Sequence, residues 1–178
     1  MTAANLALLA DIGGTNARFA LADTASPTPL QLDTVRGFPV ADFPSLADAA
    51  LHYLAQIGHD GSPGEGTHAS LPRAVFAVAG RVDGDEARIT NHPWVISRRR
   101  TRAQLGFERV TLVNDFAAQA MAIPLLRASD VVAVGGATWT PEPAPKNRTY
   151  AILGPGTGLG VSALMVRDGH QYPLETEG

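Results

Sequence analysis

An unbroken apolar run, Leu6 to Ala10, leads into Asp11-Ile-Gly-Gly-Thr-Asn16, and Ala17 to Ala22 is again largely apolar until Asp23. Two short apolar stretches around a glycine turn predict strand, tight turn and strand. From Phe43 to Ile57 the period changes. Leu46, Ala49, Ala50, Tyr53, Leu54 and Ile57 recur at helical spacing, with Asp42 as the expected cap and Pro44 near the first turn. His59 to Ser70 is rich in Gly, Pro, Ser and His without a period, and is expected to be an exposed linker. Arg73 to Ala79 and Val110 to Val113 are short β-rich runs; between them Asp83-Gly84 marks a turn and Ala87 to Thr90 a return strand. Asp115 to Leu126 has helical spacing and good helix formers, with Pro124 near its end and a polar break at Ala128 to Asp130. Thr138 to Arg148, with Pro141, Pro143 and Pro145, reads as a surface insertion before two further apolar runs, Tyr150 to Leu153 and Val161 to Val166. The order is three strands, a helix, a strand with a return strand, a helix, a strand, a helix and a further β segment. It predicts an α/β domain with a mixed sheet and flanking helices.

Composition bounds the class. The chain has 178 residues, 45% hydrophobic and 17% charged, which suits a globular protein with one large or two small cores. It contains no cysteine, so disulfides, thiol nucleophiles and cysteine-ligated metals are excluded. The net charge is −3, and the basic residues cluster only at Arg98-Arg99-Arg100 and Arg102, which reads as a solvated helix face rather than a nucleic-acid site. There is no apolar span long enough for a membrane helix and no cationic signal peptide, so a cytoplasmic protein is expected. The five histidines show no metal-ligand spacing.

The candidate chemistry lies in the turns. In Asp11 to Asn16 glycine allows close backbone approach and positive φ, while successive N–H groups form a concavity suited to an anion. Asp11 stands at the strand end, where one carboxylate and phosphate oxygens together hold a hydrated Mg2+. A second glycine loop, Gly154-Pro-Gly-Thr-Gly-Leu-Gly160, also lies between apolar runs. Two strand–loop–strand units, with Thr15 and Thr157 in their turns, suggest two lips on one polyphosphate. Neither is a Walker A loop, since no Gly-Lys dipeptide exists, and neither has the Rossmann spacing. Plain hairpins are the competing reading.

Asn114-Asp115 ends a buried run and opens a helix, leaving a carboxylate where ligands bind in open α/β sheets. A simple helix cap is the structural alternative. Asn91-His-Pro-Trp94 is a polar turn with a large aromatic, and a proline turn with a packed tryptophan is its favoured reading.

Taken together, Ala10 to Arg18, Thr90 to Trp94, Val113-Asn-Asp-Phe-Ala117 with Met121-Ala-Ile-Pro124, and Gly154 to Gly160 resemble the bacterial ATP-dependent glucokinases, in order along essentially the whole chain. The resemblance implies the actin/hexokinase-like (ribonuclease H-like) fold, in which two α/β domains flank a nucleotide cleft. It implies a small domain, residues 1–124, and the start of a large one, 125–178. Ala10, Asp11, Ile12, Gly13, Gly14, Thr15 and Asn16 would form the first phosphate loop, and Gly156, Thr157 and Gly158 the second. Asp115 would be the general base. Asn91, Asn114, Asp115 and Glu177 would bind the sugar, and Asp11 would hold Mg2+ through water. ATP, Mg2+ and glucose are the implied ligands, and a homodimer the implied assembly of the complete protein.

In the relatives, the segment resembling Glu175 to Gly178 runs on into further sugar ligands and an adenosine pocket. The chain is therefore expected to be an amino-terminal portion, weakly active or inactive alone and prone to self-association. Other readings are a sugar kinase of the repressor–open-reading-frame–kinase type, and a non-catalytic sugar or nucleotide sensor on the same fold, which would lack the carboxylate at 115. A third is an interaction module in which both glycine loops are plain hairpins.

Overall fold

The computed structural model describes residues 5–58, 71–136, 147–155 and 159–175. In chain order it contains β1 (Leu6–Ile12), β2 (Asn16–Asp23), β3 (Leu30–Pro39), α1 (Leu46–Gln56), β4 (Arg73–Val78), β5 (Gly80–Asp83), β6 (Glu86–Ile89) and β7 (Val95–Ser97). Next along the chain are α2 (Arg98–Leu105), β8 (Arg109–Asn114), α3 (Asp115–Ala122), β9 (Asn147–Pro155), β10 (Leu159–Arg167) and β11 (His170–Glu175). The expected linker, 59–70, lies outside the described residues, as do 137–146 of the surface insertion, the tip Gly156-Thr157-Gly158, and Glu177.

Two compact units divide between Asp115 and Phe116. The first is built on a five-stranded sheet of order β3-β2-β1-β4-β8. β2 runs antiparallel to β1 and β3, whereas β4 runs parallel to both β1 and β8, so the sheet is mixed as expected. β1 has strand neighbours on both sides and is buried along most of its length, which is why its sequence is an unbroken apolar run rather than an alternating one. One sheet face carries Leu8, Ile12, Phe19, Leu21, Phe76, Val78 and Leu112 into a core shared with Ala49, Ala50 and Tyr53 of α1. Tyr53 stacks on Phe19 at 5.3 Å between ring centroids, and its hydroxyl donates to the Thr34 carbonyl at 3.0 Å.

α1 starts later than the sequence suggests. Its cap is Ser45, not Asp42: the Ser45 hydroxyl accepts from the Asp48 N–H and donates to the Asp48 carboxylate at 2.6 Å. Phe43 precedes Pro44 and is held extended, at φ −131 and ψ 141, so no helix can pass through it. Val40–Asp42 forms a separate 3-10 turn. α2 is capped by Ser97 and ends at Gly106, which takes the left-handed φ of 72° that suits glycine after a helix.

β5, β6 and β7 form a small antiparallel sheet. The predicted turn between β5 and β6 is present, with Gly84 at φ 55°.

In the second unit α3 begins the chain segment and β9, β10 and β11 form an antiparallel meander. Ala120 packs with Leu164 and Val166 in a cluster that also takes in Met121, Tyr150 and Ile152. That packing holds α3 to the meander. The helix itself gives way near Pro124 to a 3-10 turn, Ile123–Leu125. Among the described residues no helix is long and apolar enough to cross a membrane.

Candidate active site at the strand ends

The ends of β1, β4 and β8 fall in one row, with Ile12 opposite Val78 and Val78 opposite Asn114. The row fixes where the chain turns as it leaves each strand. After β4, the Ala79 N–H donates to the Ile12 carbonyl at 2.8 Å, and the Thr90 N–H donates to the Ala79 carbonyl at 3.2 Å, tying the turn after β6 to the same edge. After β1, the Gly13 N–H donates to the Asn16 carbonyl at 2.9 Å, leaving Gly14 and Thr15 as a two-residue loop. The Thr15 carbonyl accepts from the Val40 N–H at 2.9 Å, which anchors the loop from outside the hairpin.

Neither Gly13 nor Gly14 adopts the positive φ expected of them. At Gly14 the need is closeness: an added Cβ would stand 3.3 Å from the Asn91 Cβ. Ala10 to Asn16, Asn91, Asn114 and Asp115 thus share one edge of the first unit. His92 and Trp94 behave as the structural reading of their motif required. Trp94 is buried, donates through its indole nitrogen to the Phe43 carbonyl at 3.2 Å, and packs edge-on against His92.

Asn114 and Asp115 are half-buried at the β8–α3 junction. The Asn114 Nδ2 donates to the Gly80 carbonyl at 3.1 Å, so the amide is held at the point where β5 departs from the main sheet. Gly80 itself admits no side chain, because a Cβ there would overlap the Arg88 carbonyl.

Asp11 is 60% exposed and lies 3.4 Å from the Arg18 guanidinium, its cross-strand partner in the β1–β2 ladder. Among the described residues no group of three acidic or histidine side chains could cage a metal ion. One accessible carboxylate beside a glycine turn suits a Mg2+ that keeps its waters and arrives with phosphate oxygens, and does not suit an all-protein site.

In the second unit, β9 and β10 carry the arms of the second glycine loop, with Gly154 directly opposite Gly160. Both face Phe116, the residue after Asp115. Asp85, outside this region, caps α2 from a distance. It accepts from the Ser97 hydroxyl at 2.6 Å and from the Arg99 N–H at 3.0 Å, and the Ser97 bond holds its carboxyl below the usual value.

Arg18, Gly80 and Phe116 were not singled out from the sequence. A signal existed for Arg18 alone: a two-residue loop at Gly14-Thr15 places position 18 opposite position 11.

Residues 8–178 match the glucokinase family model. The glucokinase of Stenotrophomonas maltophilia strain R551-3 is 64% identical over 171 residues, which is 96% of this chain and 48% of the relative. That of Xanthomonas oryzae pv. oryzae strain MAFF 311018 is 62% identical over the same shares. The chain therefore spans about half the length of the curated relatives it matches. Among solved structures, a glucokinase from an Antarctic psychrotroph superposes with a TM-score of 0.76 at 34% identity, covering 98% of this chain and 50% of that one. A Balamuthia mandrillaris glucokinase solved with glucose shares the fold, with a TM-score of 0.61 at 23% identity over 97% of this chain and 48% of that one. The mixed sheet with flanking helices is thus the hexokinase-type sugar-kinase fold, and with its family model matched over residues 8–178, the chain belongs to the glucokinase family.

Proposed function

We propose that this chain supplies the first phosphate loop and the catalytic base of an ATP-dependent glucokinase, which transfers the γ-phosphate of ATP to the C6 hydroxyl of glucose. The observation that carries the reading is the alignment of strand ends. It puts the β1–β2 glycine turn, Asn91 and the Asn114-Asp115 junction at one edge of one sheet, in a chain of this family.

Phosphoryl transfer asks the protein for in-line positioning and charge stabilisation, together with a carboxylate to take the hydroxyl proton. Asp115 accepts the proton of the sugar C6 hydroxyl as that oxygen attacks the γ-phosphorus, and the bond from phosphorus to the β,γ-bridging oxygen breaks with ADP as leaving group. Asn114, fixed by Gly80, and Asn91, fixed against Gly14, contact neighbouring sugar hydroxyls. Such contacts discriminate a polyol from an apolar analogue. The turn from Ala10 to Asn16 holds phosphate oxygens. Asp11 would hold a Mg2+ through water, and that ion would supply neutralisation of phosphate charge. Gly156, Thr157 and Gly158 as second phosphate loop, and Glu177 as sugar ligand, rest on the family likeness. So do the cytoplasmic, homodimeric setting and the place in glycolysis. Identity above 60% to named glucokinases favours this reading over a kinase of the repressor–open-reading-frame–kinase type.

The test is MgATP-dependent phosphorylation of a hexose panel, by this chain and by the protein at the full length of its relatives, with Asp115→Asn as control. Glucose turnover that falls on the order of 10²-fold or more in the variant, with the fold retained, is the expected result. Near-normal turnover in Asp115→Asn would overturn the assignment of the base.

A further inference from the structure

Gly154 and Gly160 are cross-strand partners in the arms of the β9–β10 hairpin. A Cβ on Gly154 would stand 2.5 Å from the Phe116 Cζ and 2.6 Å from its Cε1, and a Cβ on Gly160 would overlap the same ring. Real side chains do not approach so closely, so the phenyl ring occupies the space that any other residue at either position would need. Backbone freedom does not explain these glycines, since neither takes a positive φ.

α3 is consequently held to the hairpin at two places. Ala120 and Met121 join Leu164, Val166, Tyr150 and Ile152 in the hydrophobic cluster. Phe116 is different, because its seat is cut to one ring and lies in the first helical turn, immediately after Asp115.

We propose that Phe116 is a positioning residue for phosphoryl transfer: its ring, seated on the Gly154–Gly160 pair, locks the arms of the second glycine loop to the helical turn that begins at Asp115. The inference rests on the reading of Asp115 as base and of the second loop as a phosphate holder. It deepens that reading by naming the contact that seats the first turn of α3 on the hairpin. In-line transfer is sensitive to position, since a displacement of about 1 Å can cost on the order of 10²-fold in rate.

The test is a double-mutant cycle in the full-length protein, with steady-state kinetics for Phe116→Ala, Gly154→Ala, their combination, and Phe116→Leu as the conservative variant. Gly154→Ala alone is expected to lower kcat on the order of 10-fold or more and to raise the KM for MgATP, with the KM for glucose changed less than about threefold. In the Phe116→Ala background, where the ring is gone, adding Gly154→Ala should change kcat by less than about twofold. Phe116→Leu should recover part of the loss. An active wild type in which Gly154→Ala is silent, in which the two effects multiply, or in which only the melting temperature falls while kcat and KM stay put, overturns the positioning role alone. A wild type inactive on every hexose overturns the functional reading and this role with it.

Discussion

Asn114 and Gly80, 34 residues apart, are joined by a hydrogen bond in which the Asn114 amide donates to the Gly80 carbonyl at 3.1 Å. One residue ends β8 and the other begins β5, so the bond closes the gap where β5 leaves the five-stranded sheet. Asn114→Ala should cost about 1 kcal/mol in urea unfolding, the usual net value of such a bond. Asn114→Asp should cost more, because a carboxylate would present an acceptor to an acceptor. Equal stability of the aspartate and wild-type chains would show that the bond does not form.

Gly80→Ala places a methyl group on the Arg88 carbonyl, which is backbone and cannot rotate aside. A loss of about 1–3 kcal/mol is expected, as for other overpacked sites. Gly37→Ala is the control: its Cβ would meet only the Arg18 Cγ, at an ordinary 3.8 Å. Circular-dichroism melts of the two variants should separate clearly, with Gly37→Ala close to wild type.

Asp85 should make the first unit sensitive to acid. Its carboxyl is held below the ordinary 3.8 by the Ser97 hydroxyl, with further help from the Arg99 N–H and the nearby arginines. A group with a lowered folded value stabilises fully above its unfolded value. Below pH 3.8 the unfolded chain takes up the proton first, and the stabilisation fades as pH falls through the lower folded value. Asp85→Asn should therefore reduce stability at neutral pH and flatten its decline on acidification. Ser97→Ala removes both the cap of α2 and this partner, and should cost about 1 kcal/mol at pH 7. An unchanged acid profile in Asp85→Asn would contradict the role.

Arg18 and Asp11 form an exposed pair, 69% and 60% accessible, so its contribution to stability should be small. Arg18→Ala should shift unfolding by no more than about 1 kcal/mol, and by less as salt is added. Isothermal titration with MgATP should instead register the change, because Asp11 loses the partner that fixes its direction beside the glycine turn. A large loss of stability with unaltered nucleotide binding would reverse that division of roles.

Several elements were legible because burial writes directly into sequence. β1 lies between two strands and reads as a continuous apolar run, and the turn at Gly84 arises from Asp-Gly. The interior of α1 was visible in its period, but its start was not, since the Phe43–Pro44 junction and the Ser45–Asp48 pair outweighed Asp42 as a cap. β3 has no alternation and exposes Leu32, as an edge strand can, so its limits carried no signal. At the candidate site, the glycine turn and Asp115 stood out as local motifs. Gly80 and Phe116 did not, because what makes them matter are contacts with residues that are distant in sequence or joined only by strand register. Gly154 and Gly160, which bound the second glycine loop, each make room for an aromatic ring, a demand no local motif announces.

The shared row of Ile12, Val78 and Asn114 has a consequence for how the protein tolerates change. Side chains alternate along a strand, so sliding β1 by a single residue past β4 would turn Leu8 and Ile12 out to water and swing Asp11 into the oily interior. Hydrophobic packing therefore keeps the polar edge in alignment. Substitutions that preserve the interior leave the chemistry where it is, and an error in pairing cannot yield a well-folded protein with a misplaced site.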